Sequence, residues 1–458
     1  MNIACRHTPE LDPGFTPAAA WNRAFRQAAK DAGSRPFAIC LERPDGTRSA
    51  WRTNLIDRPD ATELNFLHVE RLLKFLLWQK GGHRIHLGGD NALAGRLQSV
   101  YSSAGARAFD ENFMGNRVYG RPLEFVIAGL DEVPDSRETE SSQGGHLDGC
   151  RIGFDLGGSD RKCAAVVDGE VVFSEEVEWS PYFEKDIAYH REGIRHSLRR
   201  AAEHLPRVDA IGGSAAGVYV DSEVRVASLF RGIPEAEFAT TAGPLFKELG
   251  KEWKVPFVVV NDGDVTALAG SMSFGGNSFL GIAMGTAEAV GYTNPHGRIT
   301  NWLNELAFCP VDYRTGVGVD EWSGDAGCGV QYFSQQGVAR LAAAAGLEFS
   351  DTIPLPERLV EVQRLMKAGD PRAHRIYESL GIWFGYSIAH YAEHYELENL
   401  LVLGRVTSGD GGDILIEKAR EVLRDEFPER AEQIRFHRPD EKFKRHGQAV
   451  AAASLPEL

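Results

Sequence analysis

The stretch Arg151–Asp168 constrains the fold of this chain more than any other part of its sequence. Ile152, Phe154 and Leu156 alternate at the period of a β-strand. Gly157–Gly158 follows, and a pair of glycines lets the chain turn tightly because neither residue has a Cβ atom to clash. Apolar residues resume after the turn. The stretch therefore predicts a strand, a glycine hairpin and a second strand.

A glycine hairpin of this kind is suited to binding phosphate groups. Its backbone N–H groups face outward, and Ser159 adds a hydroxyl donor. Asp155, at the end of the first strand, is placed to hold a magnesium ion through water, and that ion would neutralise polyphosphate charge. Asp-x-Gly-Gly is also common in ordinary hairpins, so this segment alone leaves both interpretations open.

The composition indicates a protein of several domains with reduced cysteines. A chain of 458 residues exceeds what one hydrophobic core normally supports, which predicts two or three domains. The six cysteines lie far apart with no C-x-x-C pair, which indicates reduced thiols in the cytoplasm rather than disulfides or a zinc site. A net charge of -15 argues against nucleic-acid and anionic-membrane partners. The longest apolar run, Leu72–Trp78, is too short to span a bilayer.

A polar, charged and glycine-rich segment at residues 131–149 predicts a linker just before the hairpin. Residues 1–130 have strand and helix patterns of their own, including helical periodicity from Glu63 to Gln79, which predict a small α/β accessory domain. After the linker, strand-like runs alternate with amphipathic helical stretches, and this predicts a largely parallel sheet with covered faces. The sequence does not indicate whether residues 1–149 cover a substrate cleft, extend a substrate site or form a dimer contact.

Four further strand-and-loop motifs follow the hairpin in the order Ile211–Asp221, Val258–Gly270, Gly281–Ala287 and Leu401–Gly409. The second motif delivers Asn261 and Asp262 to the carboxyl end of a buried strand, which is the edge where ligands bind in open α/β sheets. The third motif ends in a glycine and hydroxyl turn suited to phosphate oxygens. The fourth is a strand and loop that could pack against a nucleotide base.

In this order the motifs resemble the sugar-kinase branch of the actin-like ATPase superfold, and most closely the ROK family of bacterial sugar kinases and repressors. The resemblance covers residues 150–458. It implies a two-lobed α/β fold of the ribonuclease H-like type, with residues 150–262 in the first lobe and residues 263–458 in the second. The small α/β domain at residues 1–130 would be an addition to that fold. A C-terminal helix that returns to the first lobe and a homodimer are also expected.

The resemblance assigns roles to individual residues. Asp262 would be the general base, Asn261 and Glu305 would bind the sugar, and ATP and Mg²⁺ would be the cofactors. Asp155 would hold the Mg²⁺ through water. The nucleotide-binding residues would be Gly157, Gly158, Ser159, Gly285, Thr286 and Gly404.

The chemistry of the reaction fits these roles. A sugar hydroxyl is a poor nucleophile at neutral pH, so a carboxylate has to take its proton as the phosphoryl group is transferred. An alternative remains for each acid. Asp262 could simply cap the helix that follows it, because Asp is a good N-cap residue, and Glu305 could be a solvated loop acid.

Several positions depart from the family's pattern. Phe308 stands where the sugar-binding loop of the family has a histidine, and Ala287 stands where a glycine is usual in the second phosphate turn. The usual cysteine cluster is reduced to Cys328, with Val330 at the position of a glutamate, so we expect no structural zinc.

Two functions follow from this pattern. The first is ATP-dependent phosphorylation of a hexose or hexose derivative. The alternative is a sugar-binding sensor or regulator of the same fold, with weak or absent catalysis. A DNA-binding repressor ranks last, because residues 1–149 contain no basic recognition helix.

Overall fold

The computed structural model describes residues 1–139, 143–439 and 447–458. Residues 140–142 of the predicted linker and residues 440–446 of the predicted second lobe therefore lie outside the described residues. Three sheets of four or five strands organise the described part of the chain.

The N-terminal part forms a sheet of its own. Its elements are α1 (Ala18–Ala32), β1 (Ser34–Glu42), β2 (Arg48–Ile56), α2 (Thr62–Lys80), β3 (Arg84–Gly88), α3 (Asn91–Val100), α4 (Ala108–Asn112) and β4 (Glu124–Ala128). A π-helical segment, Phe113–Tyr119, directly follows α4. The strand order is β2-β1-β3-β4, with only the last pair parallel.

The first lobe begins with the predicted hairpin. Its elements are β5 (Cys150–Leu156), β6 (Asp160–Val167), β7 (Glu170–Glu178), α5 (Ile187–Ala202), β8 (Ala210–Ala215), β9 (Val218–Val220), β10 (Glu223–Val226), α6 (Glu235–Thr241), α7 (Leu245–Trp253) and β11 (Phe257–Asn261). The main sheet has the order β11-β8-β5-β6-β7.

This sheet is mixed, so the prediction of a largely parallel sheet is wrong at one edge. β11, β8 and β5 run parallel, whereas β6 and β7 are antiparallel to their neighbours. Short hairpins cause the reversal because they leave no room for a crossover helix. Between β6 and β7, Asp168 and Gly169 have φ angles of 48° and 86°, as a two-residue hairpin requires.

The second lobe contains a smaller sheet covered by long helices. Its elements are α8 (Asp262–Phe274), β12 (Phe279–Met284), β13 (Glu288–Tyr292), α9 (Gln335–Ala344), α10 (Leu355–Lys367), α11 (Pro371–Tyr391), β14 (Asn399–Leu403), α12 (Asp410–Glu426), α13 (Pro428–Gln433), β15 (Arg435–His437) and α14 (Gln448–Ala453). The strand order is β13-β12-β14-β15, and β12 is parallel to β14. The carboxyl ends of β12 and β14 therefore lie at one edge.

The last helix, α14, packs on the sheet of the first lobe. A Cβ atom at Gly153 would lie 1.8 Å from the carbonyl oxygen of Ala449, and one at Gly212 would lie 1.7 Å from that of Ala452. Only glycine permits such a close approach of helix backbone to strand. The end of the chain thus connects the two lobes.

The N-terminal part and the second lobe share one hydrophobic core. Ile39 and Leu77 of the N-terminal part belong to the same buried cluster as Ile282 and Trp383 of the second lobe. The first lobe has a separate core around Phe154. The N-terminal part is therefore packed into the second lobe rather than held away from it.

Two features concern the chain as a whole. Among the described helices, none combines the length and the apolar character that crossing a bilayer demands. The six cysteines, all of them described, carry free thiols.

Candidate active site

Asn261 and Asp262 lie where β11 passes directly into α8. The side chain of Asn261 caps the helix, because its Oδ1 accepts the backbone N–H of Gly263 at 2.7 Å. Its Nδ2 donates to the carbonyl of Gly217 at 2.7 Å. The Asp262 carboxylate accepts the same N–H of Gly263 at 3.0 Å. Asn261 is thus the principal cap, and Asp262 lines the cleft between the lobes.

The environment of Asp262 tunes its acidity. Burial raises its pKa, and the negative charge of Asp155 raises it further, to about 6. A carboxylate with this pKa is mostly ionised at neutral pH, yet it is a stronger base than an exposed aspartate. Those are the properties of an efficient general base.

Glu305 is held in the same cleft by the end of α2. Its backbone N–H donates to the carbonyl of Trp78 at 3.1 Å, and that of Asn304 donates to the carbonyl of Gln79 at 3.0 Å. The last carbonyl groups of a helix have no hydrogen-bond partner within the helix, so those of α2 can accept the N–H groups of this loop. Burial and the charge of Asp262 raise the pKa of Glu305 to about 7. A predicted sugar contact is therefore positioned by the N-terminal part.

The sequence analysis did not single out two further acids near Asp262, of which Glu288 lines the cleft and Asp264 lies close enough to interact with the Asp262 charge. Glu288, the first residue of β13, is buried, and its pKa is raised to about 8, chiefly by burial. Asp264 accepts the backbone N–H of Tyr292 at 3.2 Å and the Nδ2 of Asn304 at 2.9 Å. Burial raises the pKa of Asp264 to about 8. Both groups are largely protonated near neutral pH and can donate hydrogen bonds. Glu288 could have been found from its place directly after the second phosphate turn.

The cleft has a volume of about 890 Å³. It contains the predicted sugar-site residues Asn261, Asp262 and Glu305 together with Glu288. Residues from both lobes line it, and so does the π-helical segment Phe113–Tyr119 of the N-terminal part. The structure therefore brings the predicted base and sugar contacts together, and the N-terminal part forms one wall of the cleft, a position among those that the sequence left open for it.

The first phosphate hairpin forms a tight turn, in which the N–H of Gly157 donates to the carbonyl of Asp160 at 2.9 Å. The Ser159 hydroxyl donates to the Asp160 carboxylate at 2.9 Å. A Cβ atom on Gly158 would lie 1.9 Å from the Tyr182 hydroxyl oxygen, so glycine is required there. The turn has the predicted shape, but the acidic side chain of Asp160 lies beside its Ser159 hydroxyl.

Asp155 fits the role of a magnesium ligand. It accepts the Ser214 hydroxyl at 2.6 Å, which fixes the carboxylate at the edge of the sheet. Burial raises its pKa, and the Ser214 bond and the charge of Lys162 oppose that effect. Within the described part of the chain, no Lys or Arg nitrogen lies within ion-pair distance of Asp155. A half-buried carboxylate with no such partner is suited to a divalent cation.

The second phosphate turn lies at the corresponding edge of the second lobe. The N–H of Gly285 donates to the carbonyl of Ala287 at 3.0 Å, while Thr286 and Ala287 are exposed. Gly404 approaches from β14, and a Cβ atom there would lie 2.3 Å from the Met284 carbonyl oxygen. Gly285, Thr286 and Gly404 are thus neighbours, and Ala287 also lines the acidic cleft.

Two of the departures from the family's pattern have clear structural consequences. Phe308 lines the cleft and packs against Trp78, with ring centroids 4.4 Å apart. Cys328 is buried with its Sγ 3.9 Å from the Gln331 side-chain oxygen. An aromatic ring thus occupies the wall near Glu305 where the sequence pattern of the family would place an imidazole.

No protein-family model and no curated protein matches the sequence. Solved structures do match. The ROK hexokinase from Thermus thermophilus aligns over 66% of this chain and 96% of its own, with 21% identity and a TM-score of 0.53. A ROK family transcriptional regulator, a homologue of the E. coli MLC protein, aligns over 67% of this chain and 78% of its own, with 18% identity and a TM-score of 0.53.

A ROK family glucokinase from Streptomyces griseus, solved in complex with glucose and AMPPNP, aligns over 67% of this chain and 98% of its own, with 22% identity and a TM-score of 0.46. The first two matches confirm the predicted mixed α/β fold. Two thirds of this chain has the actin-like ATPase fold of the ROK family, which includes both sugar kinases and transcriptional regulators.

Proposed function

We propose that the protein transfers the γ-phosphoryl group of ATP to a hydroxyl group of a hexose or hexose derivative, with Asp262 as the general base. The observation that carries this proposal is the environment of Asp262. Its carboxylate lies in a cleft of suitable size, beside Asn261 and Glu305, and its pKa is raised by burial and by Asp155 to about 6.

The reaction needs little covalent chemistry from the protein. Asp262 accepts the proton of the attacking sugar hydroxyl, the new bond forms between that oxygen and the γ-phosphorus, and the bond from the γ-phosphorus to the bridging oxygen of ADP breaks. Glu305, Glu288 and the amide of Asn261 would orient the sugar. Because the pKa values of Glu305 and Glu288 are raised to about 7 and about 8, these groups can donate as well as accept hydrogen bonds.

The phosphate side of the site would be formed by two turns, at Gly157–Ser159 and at Gly285–Thr286. Their backbone N–H groups would bind phosphate oxygens, and Gly404 would border the adenosine. A magnesium ion held by Asp155 through water would neutralise charge on the transferred group. Closure of the two lobes would exclude water from the cleft.

A second candidate is a sugar-binding regulator of the same fold. Two observations favour it. The Asp160 carboxylate occupies the first phosphate turn and engages the Ser159 hydroxyl, and Ala287 adds a side chain to the second turn. Both changes would weaken binding of a polyphosphate while the acidic side chains of the sugar site remain in place.

The test is ADP release from MgATP with a panel of hexoses, amino sugars and sugar alcohols. We expect turnover with one sugar, and a loss of roughly 10²-fold to 10⁴-fold in kcat for Asp262→Asn. Asp351→Asn, on an exposed loop, is the matched control and should leave turnover unchanged. Sugar binding by calorimetry without any turnover would instead support the regulator.

A further inference from the structure

The mouth of the acidic cleft carries an aromatic wall formed by Phe113, Phe308 and Trp322. Phe113 comes from the π-helical segment of the N-terminal part, and the other two residues come from the second lobe. The ring of Trp322 lies 5.7 Å from that of Phe113 and 5.2 Å from that of Phe308, centroid to centroid. The wall is continuous with the sugar site, because the Phe308 N–H donates to the carbonyl of Glu305 at 3.2 Å.

Trp322 is exposed although its surroundings are rigid. Its side chain is 51% exposed, which is unusual for a tryptophan that lines a cleft. It lies at the tip of a turn closed by Asp320. The Asp320 carboxylate accepts both the N–H and the hydroxyl of Ser323 at 2.8 Å, and the N–H of Gly324 donates to the Asp320 carbonyl at 2.8 Å.

Charged residues of the N-terminal part fix the base of this turn. Asp325 is 2% exposed and accepts from Arg107, and its other oxygen lies 2.6 Å from the Nζ of Lys74. Lys74 is fully buried and also pairs with Asp110 at 2.6 Å. An exposed aromatic ring on so constrained a turn loses little conformational entropy when a ligand covers it, which is the property of a preformed contact site.

Polar groups border the aromatic wall. Asn116 and Arg117 of the π-helical segment are exposed and line the same cleft. The guanidinium of Arg117 lies 3.8 Å from Glu235 of the first lobe, so the N-terminal part reaches across the mouth. An aromatic surface with hydrogen-bonding groups at its edge matches a sugar ring, which has an apolar C–H face and a hydroxyl edge.

We propose that Trp322, supported from behind by the buried ring of Phe113, and Asn116 form a second subsite, which binds the second ring of a disaccharide or other glycoside whose first ring lies at Asp262 and Glu305. This proposal rests on the proposed function in that the first ring is a sugar. A cleft of about 890 Å³ falls within the range of pockets that bind ligands larger than a single ring. The N-terminal part would thereby set the size of the substrate.

The subsite can be tested by measuring the affinity of the protein for sugars by calorimetry, without nucleotide. The probes are glucose against maltose and cellobiose, galactose against lactose, and N-acetylglucosamine against chitobiose. We expect one disaccharide to bind roughly tenfold more tightly than its monosaccharide, and this preference to disappear in Trp322→Ala and to fall in Asn116→Ala. Affinity for the monosaccharide should change less than about twofold in both variants. Val319→Ala, an exposed apolar truncation in the same loop outside the cleft, is the control and should keep the preference.

Each failure has its own signature. The subsite is absent if monosaccharides bind and no disaccharide binds more tightly, or if Trp322→Ala weakens both sizes of sugar equally. An alkyl glucoside that binds as tightly as the preferred disaccharide would show a merely apolar patch and overturn the sugar-ring proposal. If a disaccharide binds more tightly than its monosaccharide but no ADP is released from MgATP, the subsite is supported and the proposed kinase activity is wrong. If neither size of sugar binds, both proposals are wrong.

Discussion

Asp155 and Asp262 lie two strands apart at one edge of the same sheet, with β8 between them. Their carboxylates interact, because the charge of Asp155 adds to burial in raising the pKa of Asp262 to about 6. This interaction makes Asp262, the group proposed to accept the proton of the sugar hydroxyl, a stronger base than an isolated aspartate.

The first prediction concerns pH. Asp262 must be ionised to accept a proton, so kcat/KM should fall about tenfold per pH unit below about pH 6. Asp155→Asn removes the neighbouring negative charge and should move this acid limb to lower pH, while the plateau falls because the proposed magnesium ligand is lost. The measurement is a pH profile of kcat/KM for both proteins. An acid limb that stays in place in Asp155→Asn would show that the two carboxylates are not coupled.

The second prediction concerns the nucleotide. The Asp160 carboxylate stands in the first phosphate turn and accepts the Ser159 hydroxyl. Asp160→Asn keeps the size of the side chain and removes its charge, so the Kd for MgATP should fall about threefold to tenfold, with a smaller gain at high salt. Asp168→Asn, at the hairpin on the other end of β6, is the matched control and should bind MgATP as the unmodified protein does. If all three proteins bind MgATP with equal affinity, the nucleotide does not bind at this turn.

The third prediction concerns stability. Burial raises the pKa of Glu288 to about 8, so the folded protein retains a proton that the unfolded chain releases above about pH 4.5. Stability must therefore decrease as pH rises through this window. Glu288→Gln removes the titration and should reduce the loss of unfolding free energy between pH 5 and pH 8, by on the order of 1–3 kcal/mol. Urea unfolding at three pH values measures this.

The control for that experiment is Glu429→Gln, which changes an exposed glutamate. It should follow the pH dependence of the unmodified protein. Parallel curves for Glu288→Gln and the unmodified protein would show that Glu288 titrates normally in the folded state.

Local patterns predicted the individual elements, and the family resemblance carried by the order of the motifs predicted the two-lobed fold. The glycine hairpin, the order of the strand-and-loop motifs and the position of Asp262 at a strand end all depend on residues close together in the chain. The α2 helix was expected from Glu63 to Gln79 and runs from Thr62 to Lys80. Such features follow from periodicity and turn chemistry.

The missing parts of the site depend on contacts between distant segments. The sequence patterns predicted that α2 is a helix. They did not predict that its Trp78 carbonyl accepts a hydrogen bond from the backbone N–H of Glu305. Phe113 and Asn116 lie in the N-terminal part, whose role the sequence left open, and a π-helical segment has no distinctive periodicity in sequence. A backbone carbonyl at a helix end can accept a hydrogen bond from the N–H of any residue type. The sequence therefore does not indicate which residues make these contacts.

The last prediction concerns Lys74, a buried cation of the N-terminal part that forms an ion pair with the second lobe. Lys74 is fully buried with Asp110 and Asp325 each 2.6 Å from its Nζ. Burial lowers the pKa of Lys74, but the two carboxylates outweigh that effect and raise it overall, so the cation is retained. Lys74→Met leaves two buried carboxylates without this cation and should cost about 3–5 kcal/mol of unfolding free energy, measured in urea. Adding Asp110→Asn should recover part of the loss, because the Asp110 carboxylate has lost the cation that it pairs with, whereas Asp325 keeps its ion pair with Arg107. Arg364→Ala breaks the exposed pair with Glu361 and should cost less than about 1 kcal/mol. A cost below about 1 kcal/mol for Lys74→Met would mean that water reaches the two carboxylates, and that these ion pairs add little to the packing of the N-terminal part against the second lobe.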